Sequence, residues 1–410
     1  MRNTQKKNVP ELRFPGFESE WEEKKLGEVA TFAKGKLGAK KDVSQNGVPV
    51  ILYGELYTKY GAIVSKIFSK TDIPENKLKM AKKNDVLIPS SGETAIDIAT
   101  ASCIYLNKGV AVGGDINILT PQKQDGRFIS LSINGINKNE LSKYAQGKTV
   151  VHLYNNDIKN LKIAFPSEFE EQVRIGNFFS KLDRQIELEE QKLELLQQQK
   201  KGYMQKIFSQ ELRFKDENGE DYPEWEEKKL GEVAEIIGGG TPSTKNKLYW
   251  NGEINWFSPI EIGNTIYVYS SQKKITEEGL RKSSAKILPV GTILFTSRAG
   301  IGKTAILAKE STTNQGFQSI VPRKGVLDSY YVYTISFILK ILAEKFGAGS
   351  TFSEVSKKQM EQLHLNIPII KEQKNIGKFF SKFDNLIEIQ EQKLEFLKRR
   401  KQSLLQKMFI

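Results

Sequence analysis

The chain spells one frame twice. Trp21 to Ala30 reads WEEKKLGEVA, and the same ten residues return at Trp225 to Ala234, each copy following an ELRF tetrapeptide at Glu11–Phe14 and Glu211–Phe214. A second segment is also duplicated: Glu171–Phe208 aligned with Glu372–Phe409 at an offset of 201 gives 21 identities in 38 positions. The stretches between these markers are far less alike. Such an internal repeat dictates the order domain, helix, related domain, related helix. The boundaries are expected at 1–165, 166–210, 211–368 and 369–410. At 410 residues the chain also exceeds what one hydrophobic core usually holds.

The duplicated segments carry seven-residue spacing. In the first, Phe179, Ile186, Leu193, Lys200 and Ile207 share one position while Leu182, Glu189, Leu196 and Tyr203 share the other; the second repeats this with Phe380, Ile387, Leu394, Lys401, Met408 and Phe383, Gln390, Leu397, Leu404. This predicts two long helices with coiled-coil seams. Each seam is interrupted by polar layers, Glu189 and Lys200 in one helix and Gln390 and Lys401 in the other. An antiparallel pairing in which residue numbers sum to 590 faces Glu189 with Lys401 and Lys200 with Gln390. A shift of one heptad would set Glu189 against Leu394 and Lys200 against Phe383, stranding charges at a cost of about 1–3 kcal/mol each. The 590 register is therefore expected, with these four residues as its registry. Two similar domains on antiparallel helices would be related by a half-turn, a symmetry that duplex DNA shares.

Between Leu26 and Phe165, and again between Leu230 and Pro368, short β-branched and aromatic runs alternate with Gly, Asn, Ser and Pro. Val48–Tyr57, Asn84–Gly92, Gly291–Arg298 and Phe317–Pro322 read as strands, and Tyr330–Phe346 as a short helix. Landmarks recur at an offset of 202, such as Gly147 with Gly349 and Pro166 with Pro368, and LIPSSGET (Leu87–Thr94) corresponds to LFTSRAGI (Leu294–Ile301). The expected fold class is α+β: two similar mixed α/β domains joined by two long helices in an antiparallel coiled coil, pseudo-two-fold symmetric.

Composition narrows the function. A net charge of +13 and a pI near 9.3 favour polyanionic partners. No apolar run approaches the length of a membrane helix and the first ten residues lack a secretory core, so a cytoplasmic protein without a membrane partner is expected. Cys103 is the lone cysteine, which excludes an intramolecular disulfide and a cysteine-based zinc site.

Several motifs in order carry a resemblance: the repeated W-x-x-x-x-L-G-E-V opening, the GGGTPST loop (Gly238–Thr244) followed by Tyr249-Trp250 and INWFSP (Ile254–Pro259), the GTILFTSRAGIG passage, and the IP-x-x-x-EQ-x-x-IG-x-FFSK-x-D helix start (Ile367–Asp384). Together they resemble the specificity subunit of type I restriction-modification enzymes over nearly the whole chain. The resemblance implies a bacterial, non-catalytic DNA-binding subunit with two target-recognition domains. Each would read one half of a split site in double-stranded DNA, with the helices setting the gap and binding two methyltransferase subunits. Restriction and translocation subunits join the full complex. It implies no cofactor in this chain, S-adenosylmethionine in the methyltransferase partner, and ATP and Mg in the restriction partner.

The residues themselves show little catalytic chemistry. SRAGIGKT (Ser297–Thr304) ends like a phosphate-binding loop but begins with Ser297 instead of Gly, and AILAKE after it is too short for the phosphate-capping helix. His152 and His364 occupy non-equivalent positions without clustered ligands. The competing class is a single-chain DNA methyltransferase or nuclease with an unrecognised active site. For DNA contact, side chains that pair with base edges and phosphates in loops are the candidates. In the first domain these are Lys34, Lys36, Lys40, Lys41, Tyr57, Lys59, Ser90, Ser91, Thr94, Lys148 and Thr149. In the second they are Thr241, Ser243, Thr244, Lys245, Ser297, Arg298, Gln315, Ser350 and Thr351. Trp21 and Trp225, lying in the identical frames, read as packing anchors.

Overall fold

The computed structural model describes residues 8–37, 40–298, 300–347 and 354–410. Two compact units account for it: one comprises residues 1–192 with 390–410, the other residues 193–389. Each unit holds one globular domain, the beginning of one long helix and the end of the other. The helices run Phe169–Phe208 and Ile370–Lys407.

The duplicated WEEKKLGEVA segment does the same work in both units. Its EEKK strand pairs antiparallel with the strand that precedes the long helix, Glu22 opposite Phe165 in the first unit and Glu226 opposite Ile367 in the second. The following LGEV makes one helical turn whose Leu and Val are buried. Its glycine sits at a close approach: a Cβ on Gly27 would lie 3.1 Å from Lys159 Cβ, and one on Gly231 3.0 Å from Glu361 Cβ.

The ELRF arginine completes this frame. Arg13 grips the fully buried Glu171 in a two-pronged hydrogen bond at 2.7 and 2.7 Å. Arg213 holds the equally buried Glu372 at 2.9 Å, and the Trp225 indole also donates to that carboxylate at 3.1 Å. These carboxylates raise both guanidinium pKa values. Next in sequence, Gln172 and Gln373 accept from the backbone N–H of Asp125 and Asp328, the two aspartates that cap the helices Gly126–Asn134 and Ser329–Thr334.

An aromatic cluster closes each unit. Phe409, at the end of the second helix, lies 6.3 Å from Trp21, 5.0 Å from Phe128 and 6.3 Å from Phe179. Phe208, at the end of the first helix, lies 6.2 Å from Trp225, 6.3 Å from Tyr331 and 6.2 Å from Phe380. The tryptophans are packing anchors, as their duplicated setting suggested.

The helices pair antiparallel inside each unit, but the expected register does not form. Glu189 accepts from Gln390 at 2.6 Å and pairs with Lys393 at 2.6 Å. Lys401 pairs with Asp183 and Lys200 with Asp384, both at 2.5 Å. Both lysine pairs sum to 584, six short of the expected 590 and one residue from the alignment shifted by a heptad. The penalty assigned to the heptad shift does not arise, because Asp183 and Asp384, one residue beyond Leu182 and Phe383, pair with the lysines, and Gln390 and Lys393 satisfy Glu189.

The domains share a five-stranded sheet in one order: Ala30–Lys34, Ile116–Pro121, Val86–Pro89, Ser102–Ile104, Ile63–Val64 in the first, and Ala234–Gly238, Gln318–Pro322, Ile293–Phe295, Thr304–Leu307, Tyr267–Val268 in the second. All neighbours are antiparallel except the last pair, which is parallel. They differ in the second sheet, which has five strands in the first domain and three in the second. Two sequence expectations are corrected. The Val48–Tyr57 run is a strand only to Ile51, then turns into the helix Tyr53–Thr58, because buried Glu55 accepts from the Leu52 N–H, Ser69 Oγ and Lys59 Nζ. Tyr330–Phe346 is broken at Ile335 into two helices, Ser329–Thr334 and Ser336–Gly347.

Removing one partner of a buried, bidentate ion pair leaves an uncompensated charge. Glu171→Ala and Glu372→Ala should each lower unfolding free energy by about 3–5 kcal/mol, and the double change Arg13→Met with Glu171→Leu should recover most of it. Chemical denaturation monitored by circular dichroism would show this; a loss below about 1 kcal/mol for the single variants would contradict the role given to the pair.

Candidate nucleic-acid interface

Strand register decides which loops meet. In the first domain Asn117 stands opposite Lys34 and Ile116 opposite Pro89, so the end of the first strand, the end of the third and the start of the strand between them share one edge of the sheet. Asn117 Nδ2 donates to the Leu153 carbonyl and Asn155 Nδ2 to the Ala33 carbonyl, which ties the 148–155 segment to the same edge. Val151–His152 then pairs with Ser91–Gly92, and Ser91 Oγ sits 3.0 Å from His152 Nδ1. Lys34, Lys36, Ser91, Lys148 and Thr149 are thereby gathered; Lys34, which ends its strand and is not a loop residue, Lys36 just after it and the 148–149 pair are exposed.

The second domain repeats this edge. Gly238 stands opposite Gln318 and Thr296 bridges Phe317, placing the GGGTPST loop beside the 314–316 turn and the 297–298 segment. Thr241 donates to Gln315. Arg298, half-buried, forms an isolated backbone β-bridge with Glu354. Ser243, Thr244, Lys245 and Gln315 are exposed. Ser350 and Thr351 lie outside the described residues.

Other candidates are placed differently. Lys40 and Lys41 are exposed on a short helical turn. Tyr57 lies on the Tyr53–Thr58 helix, not in a loop, and burial pushes its phenol pKa up, keeping it a neutral donor at neutral pH. Lys59 is committed to Glu55 at 2.8 Å. Thr94 caps the turn Ala95–Ile98, accepting from the Asp97 N–H.

Ser90 and Ser297 are a correction. They are structural equivalents: the Ser90 N–H donates to Asp115 O and its carbonyl accepts from Leu153 N–H, while Ser297 does the same with Gly316 and Val355. Both are buried, at 4% and 0% exposure, and neither hydroxyl has a partner among the described residues. A side chain enclosed by strand edges cannot also lie on the surface, so neither is the exposed loop residue that the sequence suggested.

The phosphate-loop resemblance at Ser297–Thr304 ends in the strand Thr304–Leu307, so the helix such a loop needs is missing. His364 pairs with Glu227 at 2.9 Å on the surface. Burial drives the Cys103 thiol pKa well above its ordinary value. Among the described residues no cluster of three or more His, Cys, Asp or Glu is placed to hold a metal, and no helix is long and apolar enough to cross a membrane.

Sequence reasoning missed an open cleft of about 270 Å³ in the second domain, lined by Thr244, Trp250, Asn251, Gln272 and Lys273. Only the Asn251-Gly252 dipeptide, a turn signal, hinted at it.

The family described as "Type I restriction modification DNA specificity domain" matches residues 18–198 and again 222–399. The MjaIX specificity subunit of a type I restriction enzyme from Methanocaldococcus jannaschii is 38% identical over 50% of this chain and 48% of its own length. The EcoR124I/EcoR124II specificity subunit from Escherichia coli is 32% identical over 60% and 58%. The chain thus spans about half the length of these two relatives. The MjaVIII specificity subunit, also from M. jannaschii, is 24% identical over 97% and 93%. Among solved structures, the S subunit of a type I restriction-modification system from M. genitalium aligns with a TM-score of 0.65 at 18% identity, covering 98% of this chain and 99% of that one.

Because an unpaired buried hydroxyl carries a desolvation cost, Ser90→Ala and Ser297→Ala should leave stability unchanged or raise it by up to about 1 kcal/mol. DNA affinity should not move. Thermal melts and fluorescence anisotropy with duplex DNA test both; a tenfold loss of affinity in either variant would place that hydroxyl at the interface.

Proposed function

Since this chain belongs to the type I restriction modification DNA specificity family, we propose that it is the non-catalytic subunit that reads a bipartite duplex site and directs methyltransferase partners to it. One observation carries the reading: two domains share sheet order, opening strand and buried anchors, yet present different side chains at the same sheet edge. Duplicated scaffolds with unlike loops suit two unlike half-sites. Exposed lysines at those edges supply phosphate contacts, and the hydroxyl and amide side chains supply base contacts.

Two copies of a methyltransferase subunit bind the long helices, and restriction and translocation subunits join them. Support comes from apolar side chains that the seam leaves exposed: Leu188 and Phe396 in one unit, Leu195 and Ile389 in the other, equivalent pairs under the 201-residue repeat. A duplicated apolar face suits a duplicated partner. The partner takes its methyl group from S-adenosylmethionine, and ATP and Mg serve the restriction subunit. The long helices set the gap between half-sites.

Exchange of residues 1–165 for those of a family member should change one half of the recognised sequence and leave the other intact, read by sequencing modified bases after co-expression with a methyltransferase subunit. Both halves changing together would contradict independent domains. Removing seven residues from each helix keeps the seam spacing and shortens the rods by about 10 Å, so the preferred gap should fall by about three base pairs. An unchanged gap would remove the helices from that role.

A further inference from the structure

We propose that Asn251 and Gln272 read the edge of an adenine in the half-site assigned to the second domain, an inference that rests on the DNA-reading function above. The strand Trp250–Phe257 pairs with Lys273–Ile275, but Ile275 stands opposite both Trp250 and Ile254, so residues 251–253 are extruded. Such a bulge re-aims side chains. Asn251 adopts the left-handed conformation, with φ of 63°, which asparagine tolerates better than most residues. Gly252 keeps the extruded backbone tight against its neighbour: a Cβ there would fall 2.4 Å from the Ile275 carbonyl oxygen.

Gln272 also lines the cleft. Its backbone N–H is fixed by Glu261 Oε1 at 2.7 Å, which leaves the side chain free while holding its root. The wall between them is rigid. The Trp250 indole donates to the Ser243 carbonyl at 3.2 Å and packs edge-on against Trp256 at 5.1 Å, and the Trp256 indole donates to the Gly240 carbonyl at 2.8 Å. Thr244 and Lys273 complete the lining. Among the described residues, the side-chain amides of Asn251 and Gln272 have no hydrogen-bond partner and Lys273 has no ion pair, although all are held on ordered backbone.

The chemistry of this set selects its target. A carboxamide offers one donor and one acceptor side by side, the complement of adenine N7 and N6 in the major groove, whereas guanine demands two donors. No carboxylate lines the cleft to accept from cytosine N4. Lys273 and the exposed Lys245 lie nearby to hold phosphates, which positions the duplex without selecting sequence.

Selection of a randomised duplex pool by the full-length chain tests the assignment. The wild-type chain should enrich a two-part motif with one A·T pair fixed in the second-domain half. Asn251→Asp and Gln272→Glu make each amide acceptor-only, and the preference at that pair should fall about tenfold or more, with the other half and the gap unchanged. Asn251→Gly keeps the left-handed backbone, loses the amide and should give the same loss, which separates base reading from misfolding. If all three variants keep the wild-type motif, this assignment fails while the DNA-reading function stands. Equal weakening at every position would also overturn it, because that is the mark of a phosphate contact. Failure of the wild-type chain to enrich any motif would overturn the underlying function and this inference with it.

Discussion

A buried carboxylate at the start of each long helix organises the rest of the molecule. Glu171 and Glu372 have no exposed surface, and a charge in that position is tolerated only when fully paired. The partner is an arginine that lies some 160 residues upstream, Arg13 for Glu171 and Arg213 for Glu372. Satisfying the carboxylate therefore brings together the ELRF segment, the opening strand and the first helical turn. The neighbouring Gln172 and Gln373 extend the joint by fixing the aspartates that cap Gly126–Asn134 and Ser329–Thr334. The duplicated residues are the ones this joint requires.

With orientation fixed at the joint, the far edge of each sheet can vary at little cost. Strand order and register hold the loops in equivalent places, while their side chains contribute almost nothing to the core. Ser90 and Ser297 mark the limit of that freedom. They sit at the last position of the shared strand path, bonded through backbone atoms to equivalent partners, and belong to the scaffold although their sequence setting looks like loop.

What could be read from sequence divides along the same line. The two-domain order, the long helices and the anchoring tryptophans were legible because repetition and heptad spacing report burial directly. Tyr57 was misplaced because β-branched and aromatic residues around Val48–Tyr57 favour a strand, and only the distant Ser69 reveals why Glu55 is buried in a helix there. Beyond the turn signal of Asn251-Gly252, the cleft is not legible in the sequence because it depends on a bulge against a strand more than 20 residues away. Residue type alone cannot distinguish exposed Thr244 from enclosed Ser297.

The helix register shows a different limit. Facing seam positions only with seam positions ignored carboxylates one residue to the side, and Asp183 and Asp384 are what make the observed alignment inexpensive. These two lysine pairs are repeats of one another, since adding 201 to Asp183 gives Asp384 and to Lys200 gives Lys401. One contact cannot be a repeat of another: Glu189 meets Gln390, its own equivalent. A perfect duplication would set Glu against Glu there, and two carboxylates in hydrogen-bonding range repel. The change of one of them to glutamine converts that repulsion into a hydrogen bond, so the position where the repeat faces itself is where physical chemistry favours a departure from identity.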